Sequence, residues 1–109
     1  MANILLLDSG LVLGKEIARS LGDRRHSVTV CECRCDGLKR LEEFAVDPNL
    51  VVLDMSRNTK EDWAILSRLS KFRLLHAPGP MILCIATIYR GPDMELKVER
   101  KGARLVYVR

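Results

Sequence analysis

Three short apolar runs constrain the fold more than any other feature of this chain. They are Ile4-Leu5-Leu6-Leu7, Leu50-Val51-Val52-Leu53 and Met81-Ile82-Leu83-Cys84-Ile85-Ala86, none of which alternates with polar residues. A strand with that pattern is buried on both faces, as in a parallel sheet covered by helices on either side. Ser27-Val28-Thr29-Val30-Cys31 and Leu105-Val106-Tyr107-Val108 read as two further strands. Between the strands the apolar period changes to that of a helix. Leu13, Ile17, Ala18 and Leu21 share one face, with Lys15, Glu16, Arg19 and Ser20 opposite. Asp36 is a suitable N-cap for a helix carrying Leu38, Leu41, Phe44 and Ala45 inward. Thr59 or Asn58 can cap the next helix, which turns Trp63, Leu66, Leu69 and Phe72 toward the core. Pro92 suits the first turn of a last helix bearing Met94 and Val98 and stopping at Gly102. The order βαβαβαβαβ implies one α/β domain over residues 1–109, with a parallel sheet and right-handed crossovers.

Three of the strands end in chemistry. Asp8 follows the first, Asp54 closes the third and Thr87 follows the fourth. Open α/β sheets bind ligands in the crevice beyond the carboxyl ends of their strands. Two acids and a hydroxyl on that edge suit phosphoryl chemistry with a metal ion.

Composition removes several alternatives. Apolar residues make up 48% and charged residues 29%, which fits a soluble globular domain. No apolar run approaches the roughly 20 residues of a membrane span, and the first strand begins almost at Met1, so a cytoplasmic protein without membrane association is expected. The net charge of +4 is spread among acids, with no helix-turn-helix, zinc-finger spacing or aromatic-interleaved basic stripe, so nucleic acid is not an expected partner. Cys31, Cys33 and Cys35 alternate along the chain. On an extended strand they would lie about 6.6 Å apart, too far to share one zinc unless a turn gathers them with His26; reduced thiols are the expectation.

The order of elements, with an acid after the first strand and another after the third, resembles the receiver domain of bacterial two-component response regulators over nearly the whole chain. Asn3-Ile4-Leu5-Leu6-Leu7-Asp8-Ser9-Gly10 is similar to that family's opening strand and acidic pocket, and Val51-Val52-Leu53-Asp54-Met55-Ser56 to its phosphoacceptor strand. Thr87 stands fifteen positions before Gly102-Ala103, the family's spacing from switch hydroxyl to Gly-Ala pair, and Arg109 falls at its pocket-lysine position. The resemblance implies a three-layer flavodoxin-like (CheY-like) fold with strand order 2-1-3-4-5. It also implies a signalling module rather than an enzyme, with Asp54 as phosphoacceptor and Thr87 as switch hydroxyl. Magnesium would be held by Asp8, Asp54 and the Ser56 backbone carbonyl, with a weak contribution from Ser9. The implied partners are a sensor histidine kinase or phosphotransfer protein and a downstream protein target.

Several positions depart from the family pattern. Ser9 replaces the second acid after the first strand, so the pocket loses a formal negative charge. Arg109 presents a diffuse fork in place of a compact ammonium. Arg57-Asn58 stands where a Met-Pro turn is usual, and the aromatic switch position is Val106, with Tyr107 one step out of register. No closing helix follows the last strand, so a face including Leu83, Ile85, Leu105 and Tyr107 or their neighbours is expected to meet water. Such a patch favours a homodimer or a helix borrowed from a partner; the alternative is that these residues belong to a longer protein. A pseudo-receiver that binds partners without phosphate is the second reading. A dinucleotide-binding half-domain is a third, weakened because Gly10 and Gly14 alone do not make G-x-G-x-x-G.

Overall fold

The computed structural model describes residues 2–8 and 13–107, with residues 13 and 14 described by their backbone only. Five strands, β1(Asn3–Leu7), β2(Ser27–Cys31), β3(Leu50–Asp54), β4(Met81–Ala86) and β5(Arg104–Tyr107), alternate with four helices, α1(Leu13–Asp23), α2(Arg34–Glu42), α3(Lys60–Leu75) and α4(Pro92–Arg100). The strands form one parallel sheet in the order β2-β1-β3-β4-β5. Fold class and strand order are as the sequence implies.

Side-chain alternation splits the core into two layers. Leu5, Leu7, Val51, Leu53, Ile82 and Cys84 face Leu38 and Leu41 of α2, Ile65, Leu66 and Leu69 of α3, and Met94 and Val98 of α4. Ile4, Leu6, Val52 and Ile85 face the other way, toward Ile17, Ala18 and Leu21 of α1. One helix therefore covers a face that the other three share on the opposite side.

The ends of α2 differ from expectation. The helix starts at Arg34 after an extended Cys33, whose side chain caps nothing, and Asp36 lies in the first turn. There its charge complements the positive helix end rather than capping it. The helix stops at Glu42 because Phe44 takes a left-handed conformation, φ 59°. The Phe44 amide donates to the Leu41 carbonyl at 3.1 Å and the Ala45 amide to that of Arg40 at 2.9 Å, closing the last carbonyls as a Schellman motif does. Phe44 is consequently 65% exposed, outside the helical stripe that the sequence assigned to it. It packs its ring on Phe72 and His76 at the amino edge of the sheet, beside a groove of about 610 Å³.

The last strand corrects a second expectation. Leu105 and Tyr107 turn toward the three-helix layer, and Tyr107 stacks edge-on against Tyr89 at 5.3 Å. Val106 is the exposed apolar residue of β5, on the face where Leu83 is half-buried and Ile85 is buried. Tyr107 is the register partner of Ala86, the residue before Thr87.

Candidate site at the carboxyl edge of the sheet

β1 pairs with β3 through Leu7 and Leu53, which places Asp8 and Asp54 one step further along two adjacent strands. Neighbouring strands lie about 4.8 Å apart, so the two acids share one rim of the sheet. That rim is also where the strand order reverses direction around β1, the crevice position of doubly wound sheets.

Both carboxyl groups are covered, Asp8 at 2% exposure and Asp54 at 1%. The surroundings of Asp54 include polar groups on its own turn. Its Oδ1 accepts from the Ser56 amide at 2.9 Å and from the Ser56 hydroxyl at 2.6 Å. Two donors from one residue fix the rotation of the carboxylate plane. Asp8 differs: its amide donates to the Cys31 carbonyl at 3.0 Å, but its Oδ1 is buried without a hydrogen-bond partner among the described residues. An ionised oxygen left unpaired in the interior is costly, and a bound cation would satisfy it. No three His, Cys, Asp or Glu side chains gather as a metal cluster among the described residues, so a cation here would rely on Asp8, Asp54, main-chain oxygen and water.

Thr87 follows β4 directly, two residues beyond Ile85, the register partner of Asp54, and its side chain is exposed. The edge therefore carries all three expected groups. Ser56 is buried with its amide and hydroxyl turned onto Asp54, a role the sequence did not suggest. Ser9 and Arg109, expected respectively as a weak metal ligand and as the pocket cation, lie outside the described residues.

A buried cation the sequence reading missed stands behind Asp54. Arg34, at the start of α2 and 7% exposed, donates from Nη1 to the Asp54 main-chain carbonyl at 2.9 Å. The same nitrogen pairs with Oδ1 of Asp62, which is fully buried, and Nη2 lies 3.7 Å from Glu61. Asp62 also completes a capping box with Thr59: the Asp62 amide donates to Thr59 Oγ1 at 3.3 Å, and Asp62 Oδ2 accepts from the Thr59 amide at 3.2 Å. The Thr59-x-x-Asp62 spacing was visible in the sequence as a capping-box pattern. Nothing in the sequence marked Arg34 as buried.

The cysteines do not form a joint site. Cys31 is buried, Cys33 and Cys35 are exposed, and all three are free thiols. Cys84, in β4, is also free and buried; burial, with Asp62 nearby adding to it, pushes its thiol up to about 12. Trp63 packs against the core and donates its indole N–H to Asn58 Oδ1 at 2.9 Å, a structural role as expected.

No family model matches the sequence, and no curated protein matches it. Solved structures do match. A Burkholderia pseudomallei protein assigned provisionally to pilus assembly is 23% identical with a TM-score of 0.77, over 98% of this chain and 78% of that one. The receiver domain of a Francisella response regulator has a TM-score of 0.79 at 11% identity, over 98% of this chain and 84% of its own. A Burkholderia pseudomallei response regulator, solved with a phosphorylated aspartic acid, a calcium ion and citrate, has a TM-score of 0.73 at 21% identity. This chain spans 98% of its own length in that match but 59% of the regulator's. No helix among the described residues is long and apolar enough to cross a membrane. With five parallel strands ordered 2-1-3-4-5 and acids at the ends of the first and third, the fold of this chain is that of response-regulator receiver domains.

Proposed function

We propose that this chain is a receiver module that accepts a phosphoryl group on Asp54 and passes the signal on through protein contacts. The observation that carries this reading is the pairing of Asp8 and Asp54 at adjacent register positions on the switch-point edge, with Asp8 Oδ1 buried and unpaired among the described residues. The donor would be the phosphohistidine of a sensor kinase or phosphotransfer protein. An Asp54 oxygen attacks phosphorus, the phosphorus–nitrogen bond breaks, and the imidazole leaves with the electron pair of that bond. Ser56 orients the nucleophile through its two bonds to Oδ1. Asp8, Asp54 and the Ser56 carbonyl are the groups that would hold magnesium, whose charge offsets that of the phosphoryl oxygens. Thr87, beyond the end of β4, would then donate its hydroxyl to one of those oxygens and carry its loop with it. The apolar Val106 with Leu83 on the α1-side face is the surface we assign to a homodimer contact; sedimentation should show a dimer that Val106→Asp converts to monomer.

A second reading is favoured by the cover over Asp54. At 1% exposure with Ser56 turned onto it, the acid is already satisfied in part and out of reach of a bulky donor unless the rim opens. A pseudo-receiver working through constitutive contacts would look the same. Beryllofluoride with magnesium separates the two. Amide resonances around Thr87 that shift in the native protein and stay still in Asp54→Ala support phosphoacceptance. No shift in the native protein supports the pseudo-receiver.

A further inference from the structure

We infer that Arg34 is a positioning residue for Asp54, holding the main chain of the acceptor so that its carboxylate keeps one orientation at the rim. One guanidinium nitrogen ties together three elements that meet at this edge. It takes the carbonyl of Asp54 at the end of β3 and the carboxylate of Asp62 at the start of α3, while its own Cα opens α2. Each of its two Nη1 protons has a buried acceptor, one on Asp54 and one on Asp62.

A purely structural role accounts poorly for this arrangement. A buried ion pair is seldom more stabilising than apolar side chains of the same volume, because desolvating both charges offsets their attraction. What such a pair supplies is direction. The Asp54 carbonyl faces a fixed donor, and the next residues, Met55 and Ser56, are fixed in turn. The Met55 amide donates to the Ile85 carbonyl at 2.8 Å, and the Ser56 amide and hydroxyl close onto Asp54 Oδ1. Main chain and side chain of Asp54 are thus held from opposite sides, by Arg34 behind and Ser56 in front. Asp62 in turn is held by Thr59, so the guanidinium is aimed by a carboxylate that cannot rotate away.

The test replaces the pair without leaving a charge buried: Arg34→Met with Asp62→Asn, two side chains of similar volume to those removed, the amide oxygen of the second still able to accept from the Thr59 amide. Native-state hydrogen exchange reads the Ser56 amide directly. Its protection should fall about tenfold, the loss expected for one charge-assisted hydrogen bond, while the amide of Leu53 in mid-sheet changes only with global stability. If Ser56 and Leu53 change by the same factor, Arg34 is a packing residue and the inference is overturned. The second readout, magnesium–beryllofluoride affinity, rests on the phosphoacceptor reading of Asp54. It should weaken about tenfold in the folded double variant, and an unchanged affinity overturns the inference. A native protein that ignores beryllofluoride sinks the functional reading alone, and Ser56 exchange still decides the role of Arg34. Arg34→Lys keeps the charge against Asp62 but ends one atom short of Nη1, so its ammonium cannot span both acceptors. It should reproduce the Ser56 loss with the fold intact, and so carries the test if the double variant does not fold.

Discussion

Replacing Gly37 by alanine separates the packing of α2 from its helix propensity. A Cβ at position 37 would overlap Leu7 Cδ2 and come within 2.9 Å of Cys31 Cβ and 3.1 Å of its Sγ. The end of Leu7 can rotate, although it is fully buried, but Cys31 Cβ is fixed to the backbone of β2, so α2 must lift. Overpacking of this kind costs about 1–3 kcal/mol, and the better helix propensity of alanine offsets about 0.8–1 kcal/mol of it. Gly37→Ala should therefore be destabilised by up to about 2 kcal/mol. Gly22 in the last turn of α1 is the control: nothing lies within 4 Å of its added Cβ, and Gly22→Ala should gain up to about 1 kcal/mol. Propensity is common to both, so the difference between the variants is the clash alone, about 1–3 kcal/mol. In urea that is a gap of about 0.5–1.5 M in midpoint for a slope near 2 kcal/mol/M. Because Leu7 precedes Asp8, the Asp8 amide resonance should move in Gly37→Ala and stay in Gly22→Ala. Equal midpoints at equal slopes would refute the close seat of α2 on β1 and β2.

Asp8→Asn changes an acid whose Oδ1 is buried without a partner among the described residues, so stability without metal should hold or rise by up to about 2 kcal/mol, while magnesium-dependent beryllofluoride binding is lost; a large fall in melting temperature would contradict this. Thr59→Ala breaks the capping box of α3 and should cost about 0.5–2 kcal/mol by urea titration. Under native conditions near pH 8, iodoacetamide should modify Cys33 and Cys35 and spare Cys31 and Cys84, a pattern that mass spectrometry reads directly. Cys84 also sets a pH window. Its thiol stays protonated in the fold up to about 12 but ionises near 9 in the unfolded chain, so the unfolded state binds fewer protons above pH 9. Its contribution should leave stability level below that pH and lower it by up to about 1.4 kcal/mol per unit from there to about 12, a slope that Cys84→Ala removes.

The parallel sheet was legible because its inner strands carry their burial in plain apolar runs, and because Pro92, Gly102 and Thr59 mark helix ends by backbone chemistry. The end of α2 was not. Phe44 continues the helical period of Leu38 and Leu41, and only the left-handed turn that closes Arg40 and Leu41 shows that the helix stops two residues earlier, at Glu42. The two rim acids were legible from their place after apolar strands. Arg34 was not, because a guanidinium enters the interior only when a buried carboxylate awaits it, and Asp62 lies 28 residues away. Similarly, a strand as short as β5 leaves its facing to tertiary packing, which sends Tyr107 toward Tyr89 and leaves Val106 outside.

The inner place of β1, between β2 and β3, has a consequence for how the sheet assembles. β1 needs both β2 and β3 beside it, so its two edges cannot both be paired until the chain through residue 54 is available. Until then one of its edges waits unpaired, open to a chaperone or to a neighbouring nascent chain. The two acids of the rim thus come together late, only when the third strand docks against the first.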